Sequence, residues 1–324
     1  MTVPMTDPST EKNAPASTSA LDAGLIWFDG ELMPESEAKV SVLTHAMHYG
    51  TSVFEGIRAY ETPKGAAVFR LQEHSQRLID SAKIIGMDSP YSVEEINEAI
   101  LETIRQNERK SCYIRPLLWY GAESLGVNPG KNKVHFMVAT MPWGVYLGED
   151  AIKNGARLVT SSWRRSPGDV MPTKSKAGGN YINSVLANQE ARQGGFDEAL
   201  LLDKEGFVAE GSGENIFFLK NGTLFPIAHS VNLRGITRDS VVKLAKWMGT
   251  PVEATMATRD ELYIADEIFM VGTAAEVTPI ASIDRRPIGT GKAGEYSLKM
   301  RETYLKATRG EIPEFTEWLT YANS

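Results

Sequence analysis

Two short stretches decide how this chain is read: Lys176-Ala177-Gly178-Gly179-Asn180-Tyr181 and, 34 positions further on, Glu210-Gly211-Ser212-Gly213-Glu214-Asn215. A lysine stands in a loop of small residues with a tyrosine close behind it. A carboxylate follows in a glycine-rich turn of its own. Pyridoxal phosphate requires such a set. An amine forms the Schiff base, a phenol hydrogen-bonds the ring hydroxyl, and a carboxylate keeps the pyridine nitrogen protonated so that the ring acts as an electron sink. Small residues beside the lysine would let a flat ring approach the backbone. On composition alone Lys174 is as good a candidate for the amine as Lys176.

The 324 residues suit one large or two smaller domains, and 42% hydrophobic content is enough for a sizeable core. A net charge of −7 argues against a phosphate-backbone partner, so no nucleic acid is expected. The single cysteine, Cys112, cannot form an internal disulfide and points to a reducing compartment. No apolar run is long enough for a membrane span. Residues 1–23, rich in Ser, Thr, Pro and Ala, read as a disordered tail without the apolar core of a signal peptide. A cytoplasmic location follows.

The expected organisation is an N-terminal α/β domain over 24–142, a connection over 143–155 and a C-terminal cofactor-binding domain over 156–324. Leu25–Phe28 and Glu31–Met33 read as a hairpin around Asp29-Gly30. Residues 71–85 read as a helix with Leu71, Leu78, Ala82 and Ile85 on one face and Gly86 as its stop. Ser92-x-x-Glu95 is a capping box for a second helix, with Val93, Ile96, Ile100 and Ile104 inward. Residues 112–120 and 133–141 are strand-like, as are 157–163, 199–202, 207–209 and 216–219. Helices are expected over 180–193 and 241–248. Helices and strands mix without a regular βαβ rhythm, which argues for a mixed α+β fold and against a doubly wound sheet.

Competing motifs fail. Gly211-x-Gly213 lacks the third glycine of a dinucleotide fingerprint, and Gly289-x-Gly291-Lys292 lacks Walker spacing. His45, His48 and His74 have no supporting ligand pattern, so no metal is expected. Ile236-Thr237 stands where a helix begins and offers free N–H groups to an anion. Thr273 offers a hydroxyl in another small-residue loop. Arg77 reads locally as an i,i+4 partner of Glu73. Tyr113 and Arg115, two apart on a strand, point to the same side.

Further segments agree with the opening pair: Tyr49-Gly50-Thr51-Ser52-Val53-Phe54-Glu55-Gly56-Ile57-Arg58, Tyr113-Ile114-Arg115-Pro116, Gly235-Ile236-Thr237-Arg238-Asp239 and Gly272-Thr273-Ala274-Ala275-Glu276-Val277-Thr278-Pro279. In this order they resemble the branched-chain amino-acid aminotransferases, fold-type IV pyridoxal-phosphate enzymes, from about Trp27 to Asn323. The resemblance implies a smaller N-terminal α/β domain, a C-terminal domain with a barrel-like sheet, and exchange of amino groups between L-leucine, L-isoleucine or L-valine and 2-oxoglutarate. It selects Lys176 over Lys174, because the family's lysine directly precedes Ala-Gly-Gly-Asn-Tyr. It assigns pyridoxal 5′-phosphate to Arg77, Lys176, Tyr181, Glu210, Leu233, Ile236, Thr237 and Thr273. It assigns the substrate to Tyr49, Phe54, Gly56, Tyr113, Arg115, Tyr146, Thr273 and Ala274. Arg115 and Tyr146 would meet the distal carboxylate of glutamate, and Tyr113 with the Thr273-Ala274 backbone the α-carboxylate. A homodimer or a multiple of it is implied, with Tyr49 reaching the partner's site. The rivals are a D-amino-acid aminotransferase or aminodeoxychorismate lyase of the same fold type, and a non-catalytic phosphate-ligand-binding protein.

Overall fold

A computed structural model describes residues 22–228 and 230–323. The expected tail lies outside the described residues as far as position 21. Its last residue, Ala23, is buried against Ile26 and Tyr113.

The expected hairpin forms: β1 (Leu25–Phe28) pairs antiparallel with β2 (Glu31–Pro34), and Asp29 and Gly30 take positive φ at its turn. After the short α1 (His45–Tyr49) come β3 (Ser52–Phe54), β4 (Ile57–Thr62) and β5 (Gly65–Phe69). The helix α2 (Leu71–Ile84) stops before Gly86, whose φ of 72° suits a residue without Cβ. In α3 (Val93–Gln106) the capping box is complete: Glu95 N–H donates to Ser92 Oγ and Ser92 N–H to the Glu95 carboxylate. The strands β6 (Cys112–Tyr120) and β7 (Val134–Met141) complete the first half. Leu78, Ile96 and Ile100 are fully buried between these helices and the sheet. Each stabilises the fold by about 1.5–3 kcal/mol relative to exposure.

The second half runs through α4 (Glu149–Asn154), β8 (Ala156–Arg164), α5 (Tyr181–Gln193), β9 (Glu198–Leu202), β10 (Val208–Gly211), β11 (Asn215–Lys220) and β12 (Thr223–Pro226). It continues with α6 (Ile236–Trp247), α7 (Arg259–Tyr263), β13 (Glu267–Gly272), β14 (Glu276–Ile283), β15 (Arg286–Pro287), α8 (Glu295–Thr308) and β16 (Leu319–Tyr321).

The strands form two eight-stranded sheets. The first has the order β16-β5-β4-β6-β7-β1-β2, with β3 on β6; the second is β10-β9-β8-β14-β13-β11-β12, with β15 on β14. Among the described residues only β8, with β14 and β9, pairs parallel within these sheets, so the fold is mixed α+β rather than doubly wound. The second sheet curls into a half-barrel. Two features depart from the expected boundaries. β16 returns to pair with β5, so the chain's end belongs to the first sheet rather than the second. The connection contains a helix, α4, whose Ala151 is buried in the second half's core. Tyr60, Ala67 and Phe69 of the first sheet share one apolar cluster with Phe217, Val271 and Val277 of the second. The halves are thus locked across their junction, where the cavity described below opens. No described helix is long and apolar enough to cross a membrane.

Candidate active site

The lysine loop is held by main-chain bonds to the first half. Phe54 N–H donates to the Lys176 carbonyl at 3.1 Å, and Lys176 N–H donates to Ser81 Oγ at 3.0 Å. The glycines after it also have a packing role. A Cβ on Gly178 would stand 2.4 Å from Ser52 Oγ, and one on Gly50 would stand 2.9 Å from Gly179. Gly178 and Gly179 therefore let α5 begin against the 50–52 segment; only then does Gly179 border the cavity. Tyr181 opens α5, and Lys176 Nζ donates to its hydroxyl at 2.7 Å. Phe54 packs edge-on against the Tyr181 ring, 4.7 Å between centroids, which fixes the phenol.

Glu210 lies buried on β10. Its Oε1 stands 2.9 Å from Arg165 Nε, and its Oε2 accepts from Leu233 N–H at 3.2 Å and Asn215 Nδ2 at 3.3 Å. Burial pushes its carboxyl pKa up, while Arg165, Leu233 N–H and the lysines pull it back. Gly235 belongs to the same construction: a Cβ there would stand 2.0 Å from Asn215 Oδ1. With Gly235 as its N-cap, α6 begins at Ile236, so its free N–H groups face the cavity with buried Thr237. The helix begins at the Ile236-Thr237 start expected for it, so it is longer than the expected 241–248 span.

Arg77 is turned inward, away from Glu73, which pairs instead with Arg70 at 2.6 Å. Arg77 Nε and Nη2 donate to the two oxygens of Glu55 at 2.6 and 2.8 Å, and Nη1 donates to the Arg234 carbonyl at 2.8 Å. Glu55 is fully buried and also bonds His74 Nδ1 at 2.8 Å. Burial opposes its charge, but Arg77 and His74 hold its carboxyl well below the usual range. His74 is thereby explained as a buried partner, and no metal-holding cluster occurs among the described residues.

On the substrate side, Arg115 Nη2 donates to the Tyr113 hydroxyl at 2.9 Å, and its guanidinium lies 4.5 Å from the Phe54 ring centre. The shared face expected of Tyr113 and Arg115 is therefore present. Gly56 is needed there because a Cβ would stand 2.2 Å from the Tyr113 hydroxyl. Trp143 stacks on Tyr113 at 4.5 Å, and Tyr146 borders the same space. Glu214 also faces it. Burial and then the charge of Glu198 raise its carboxyl to about 8.

Together these groups enclose a cavity of about 360 Å³. Of the expected residues, Phe54, Gly56, Arg77, Tyr113, Arg115, Tyr146, Lys176, Tyr181, Glu210, Leu233, Ile236, Thr237, Thr273 and Ala274 border it. Tyr49 does not. It is exposed, and its hydroxyl donates to the Leu125 carbonyl at 2.9 Å, so it is no part of this chain's own pocket wall. Lys174 lies outside the cavity lining, its amine bonded to the Asn232 carbonyl. The sequence reading missed Glu55, Arg165, Trp143 and the inward role of Glu214. Only Glu55 and Glu214 stood inside quoted motifs; Arg165 and Trp143 carried no local signal.

An amine bonded to a phenol, a buried carboxylate with a cation behind it, an anion-receptive helix start and two inward arginines can hold a flat, anionic ring compound and a carboxylate substrate. The comparisons agree. The family model for amino-transferase class IV matches residues 52–283. A branched-chain-amino-acid aminotransferase of Pseudomonas aeruginosa is 48% identical over 297 residues, covering 92% of this chain and 97% of that protein. The solved T.th. branched-chain amino acid aminotransferase with pyridoxamine 5′-phosphate superposes with a TM-score of 0.92 at 60% identity, covering 94% of this chain and 100% of the other. The same enzyme complexed with N-(5′-phosphopyridoxyl)-L-glutamate gives 0.91 at 59%, with coverages of 94% and 100%. The chain belongs to the class IV aminotransferase family, with its fold-type IV architecture.

Proposed function

We propose that the chain is a pyridoxal-phosphate-dependent branched-chain-amino-acid transaminase, moving the amino group between L-leucine, L-isoleucine or L-valine and 2-oxoglutarate. The observation that carries this reading is the single cavity in which Lys176 Nζ meets the Tyr181 phenol beside buried Glu210 and the start of α6. The donor set fits the cofactor. Its phosphate suits the Ile236 and Thr237 N–H groups, Thr273 and the Arg77 guanidinium. Its ring nitrogen suits Glu210, buried on β10 with Arg165 at its Oε1. Tyr181 suits the ring hydroxyl, and Leu233 and Ile236, which border the cavity, would wall the ring. The glutamate adduct of the T.th. relative supports 2-oxoglutarate as the acceptor.

Bound, the cofactor supplies an aldehyde carbon for amine exchange and a ring that takes up the electron pair left at the substrate α-carbon. The chain's residues do the rest. Lys176 Nζ, freed by the incoming amine, takes up the α-proton and holds it for return. The Tyr181 hydroxyl keeps that amine in place. Thr273 and Ala274 N–H groups with the Tyr113 hydroxyl hold the α-carboxylate, which every substrate has. Phe54 and Gly56 leave room for a branched side chain. Arg115 and Tyr146 hold the distal carboxylate that only the acidic substrates have.

A panel of amino donors with 2-oxoglutarate tests the reading. L-isoleucine, L-leucine and L-valine should react, and borohydride reduction should leave the pyridoxyl label on Lys176. Turnover confined to D-alanine, a label on Lys174, or a bound chromophore without any turnover would each reject it.

We also infer that two copies associate through the 40–49 segment. Val42, Leu43, Met47 and Tyr49 are exposed there, beside Leu125 and Val127. A second copy covering that surface would bring Tyr49 to its neighbour's cavity. Light scattering that finds a fully active monomer would refute the association.

A further inference from the structure

Outside the groups assigned above, the most developed polar construction at the junction is centred on Glu276. It closes the three-residue turn Thr273-Ala274-Ala275: Gly272 and Glu276 are register partners on β13 and β14. Its φ is 55°, in the left-handed region where Gly or Asn is favoured and a longer side chain is strained. A strained residue persists only where its surroundings over-determine it, and here they do. Oε1 stands 2.9 Å from Arg58 Nη1 and accepts from the Tyr60 hydroxyl at 3.1 Å; Oε2 stands 3.0 Å from Arg301 Nη2. Glu276 and both arginines are almost wholly buried. Arg301 Nη1 also donates to the Val277 carbonyl at 3.1 Å, so the carboxylate and the next peptide are gripped together. Thr278 Oγ1 donates to the Ala275 carbonyl at 2.9 Å and fixes the turn from its other end.

The network also runs on. The Tyr304 hydroxyl is hydrogen-bonded to both Tyr60 and Thr237. One carboxylate on β14 thus reaches β4 of the first sheet, α8, and through Tyr60 and Tyr304 the hydroxyl at the start of α6. It leaves an excess of one positive charge, two guanidiniums against one carboxylate, beside the turn.

We propose that Glu276 is a positioning residue: it holds the 273–275 turn, whose Thr273 and Ala274 border the cavity, in the conformation that receives the α-carboxylate of every substrate. The inference rests on the function proposed above for that turn. The strained backbone, costly for glutamate and free for glycine, is retained because the side chain, and not the φ angle alone, does the holding. Arg115 and Glu276 then differ in kind. Arg115 sorts acidic from apolar side chains, whereas Glu276 acts on the carboxylate they share.

The test uses holoenzyme and the monocarboxylate 4-methylpentanoate, which has the branched chain and carboxylate but no amino group. Its binding is followed by the absorbance of the bound cofactor. In Glu276→Gln the dissociation constant for 4-methylpentanoate should rise about tenfold, the loss of one charge-assisted contact. KM should rise by a similar factor for isoleucine and glutamate alike, with kcat changed less than about threefold. Glu276→Gly, which relieves the φ strain, should be at least as impaired. Glutamine or glycine variants that are folded and bind 4-methylpentanoate as the wild type does would overturn the proposal. So would a loss of thermal stability without a change in that affinity. Should neither variant fold, Tyr60→Phe removes one donor to Oε1 without burying an unpaired charge. It should weaken 4-methylpentanoate binding a few-fold, and unchanged binding would overturn the proposal. Because binding is read without turnover, a wild type that fails to transaminate branched-chain amino acids would sink the proposed function while leaving this measurement decisive.

Discussion

Replacing Arg115 by alanine should separate the two half-reactions. Its guanidinium is held by the Tyr113 hydroxyl at 2.9 Å and lies over Phe54 at 4.5 Å, yet its Nε is buried with no acceptor among the described residues. A buried charged donor left without a partner is costly, and a substrate carboxylate would supply one. Hydrogen bonds to charged groups contribute about 1.5–3 kcal/mol. At ~1.4 kcal/mol per decade that is roughly a ten- to hundredfold fall in kcat/KM for glutamate and 2-oxoglutarate. The substitution also removes the contact with Phe54, worth about 0.5–2 kcal/mol, and loosens Tyr113. Those losses act on isoleucine as well, so the quantity to read is the ratio of the two effects. Single-turnover kinetics with isoleucine and with glutamate, followed by cofactor absorbance, gives both. Equal falls would mean that Arg115 supports only Tyr113 and the α-carboxylate, and the division of the pocket would be wrong.

Glu210→Gln should keep the cofactor and lower kcat by about 10²–10³-fold, because its support matters most as charge develops in the ring; an unchanged kcat would remove Glu210 from the ring nitrogen. Glu55→Ala strands the buried Arg77 charge and should cost about 3–5 kcal/mol in urea unfolding while speeding cofactor loss on dilution; a change below about 1 kcal/mol would contradict the buried pair. Glu214 gives a pH dependence. Burial and Glu198 raise its carboxyl to about 8, whereas an unfolded glutamate titrates near ~4.3. Between those values the folded state binds more protons than the unfolded one, so stability falls as pH rises through this window, by up to ~1.4 kcal/mol per pH unit. Glu214→Gln should flatten that slope, and identical slopes between pH 5 and 8 would refute it.

Much of the site was legible because its chemistry lies in contiguous motifs. Lys176 and Tyr181 are linked by the loop and first turn of one helix, and Tyr113 and Arg115 by the two-residue period of one strand. What escaped is what other segments bring. Arg165 stands behind Glu210, Trp143 stacks on Tyr113, and β16 crosses back to β5 from the far end of the chain. No local pattern encodes such contacts. The helix α8 escaped for a different reason. Its buried residues include Ser297 and Thr308 beside Met300 and Tyr304, and Arg301 also turns inward to Glu276, so its inner face does not read as apolar. Arg77 shows the same limit in reverse. Glu73 is the right local partner by spacing, but Arg70 takes it, and a fully buried Glu55 outcompetes it for Arg77.

The buried carboxylates share a logic that bears on how this site can change. The proposed reaction presents three anionic groups to the site: the phosphate, the α-carboxylate and, for the acidic substrates, a distal carboxylate. Free arginines in a low-dielectric cleft would be costly and poorly aimed. Glu55 holds Arg77 by two of its nitrogens and leaves it charged; Glu276 sits between Arg58 and Arg301 and leaves one positive charge in excess. Among the described residues Arg115 has no such carboxylate and is held by a phenol and an aromatic face. That difference matches the work. In the proposed reaction the phosphate and α-carboxylate are present in every cycle and can be met by groups that buried ion pairs hold rigid. Under the proposed function the distal position accepts a carboxylate in one half-reaction and an aliphatic side chain in the other. A guanidinium on an aromatic ring can turn toward the first and lie flat against the second, so substrate range should be altered at Tyr113 and Arg115 without disturbing cofactor retention, whereas changes at Glu55 should disturb retention without altering range.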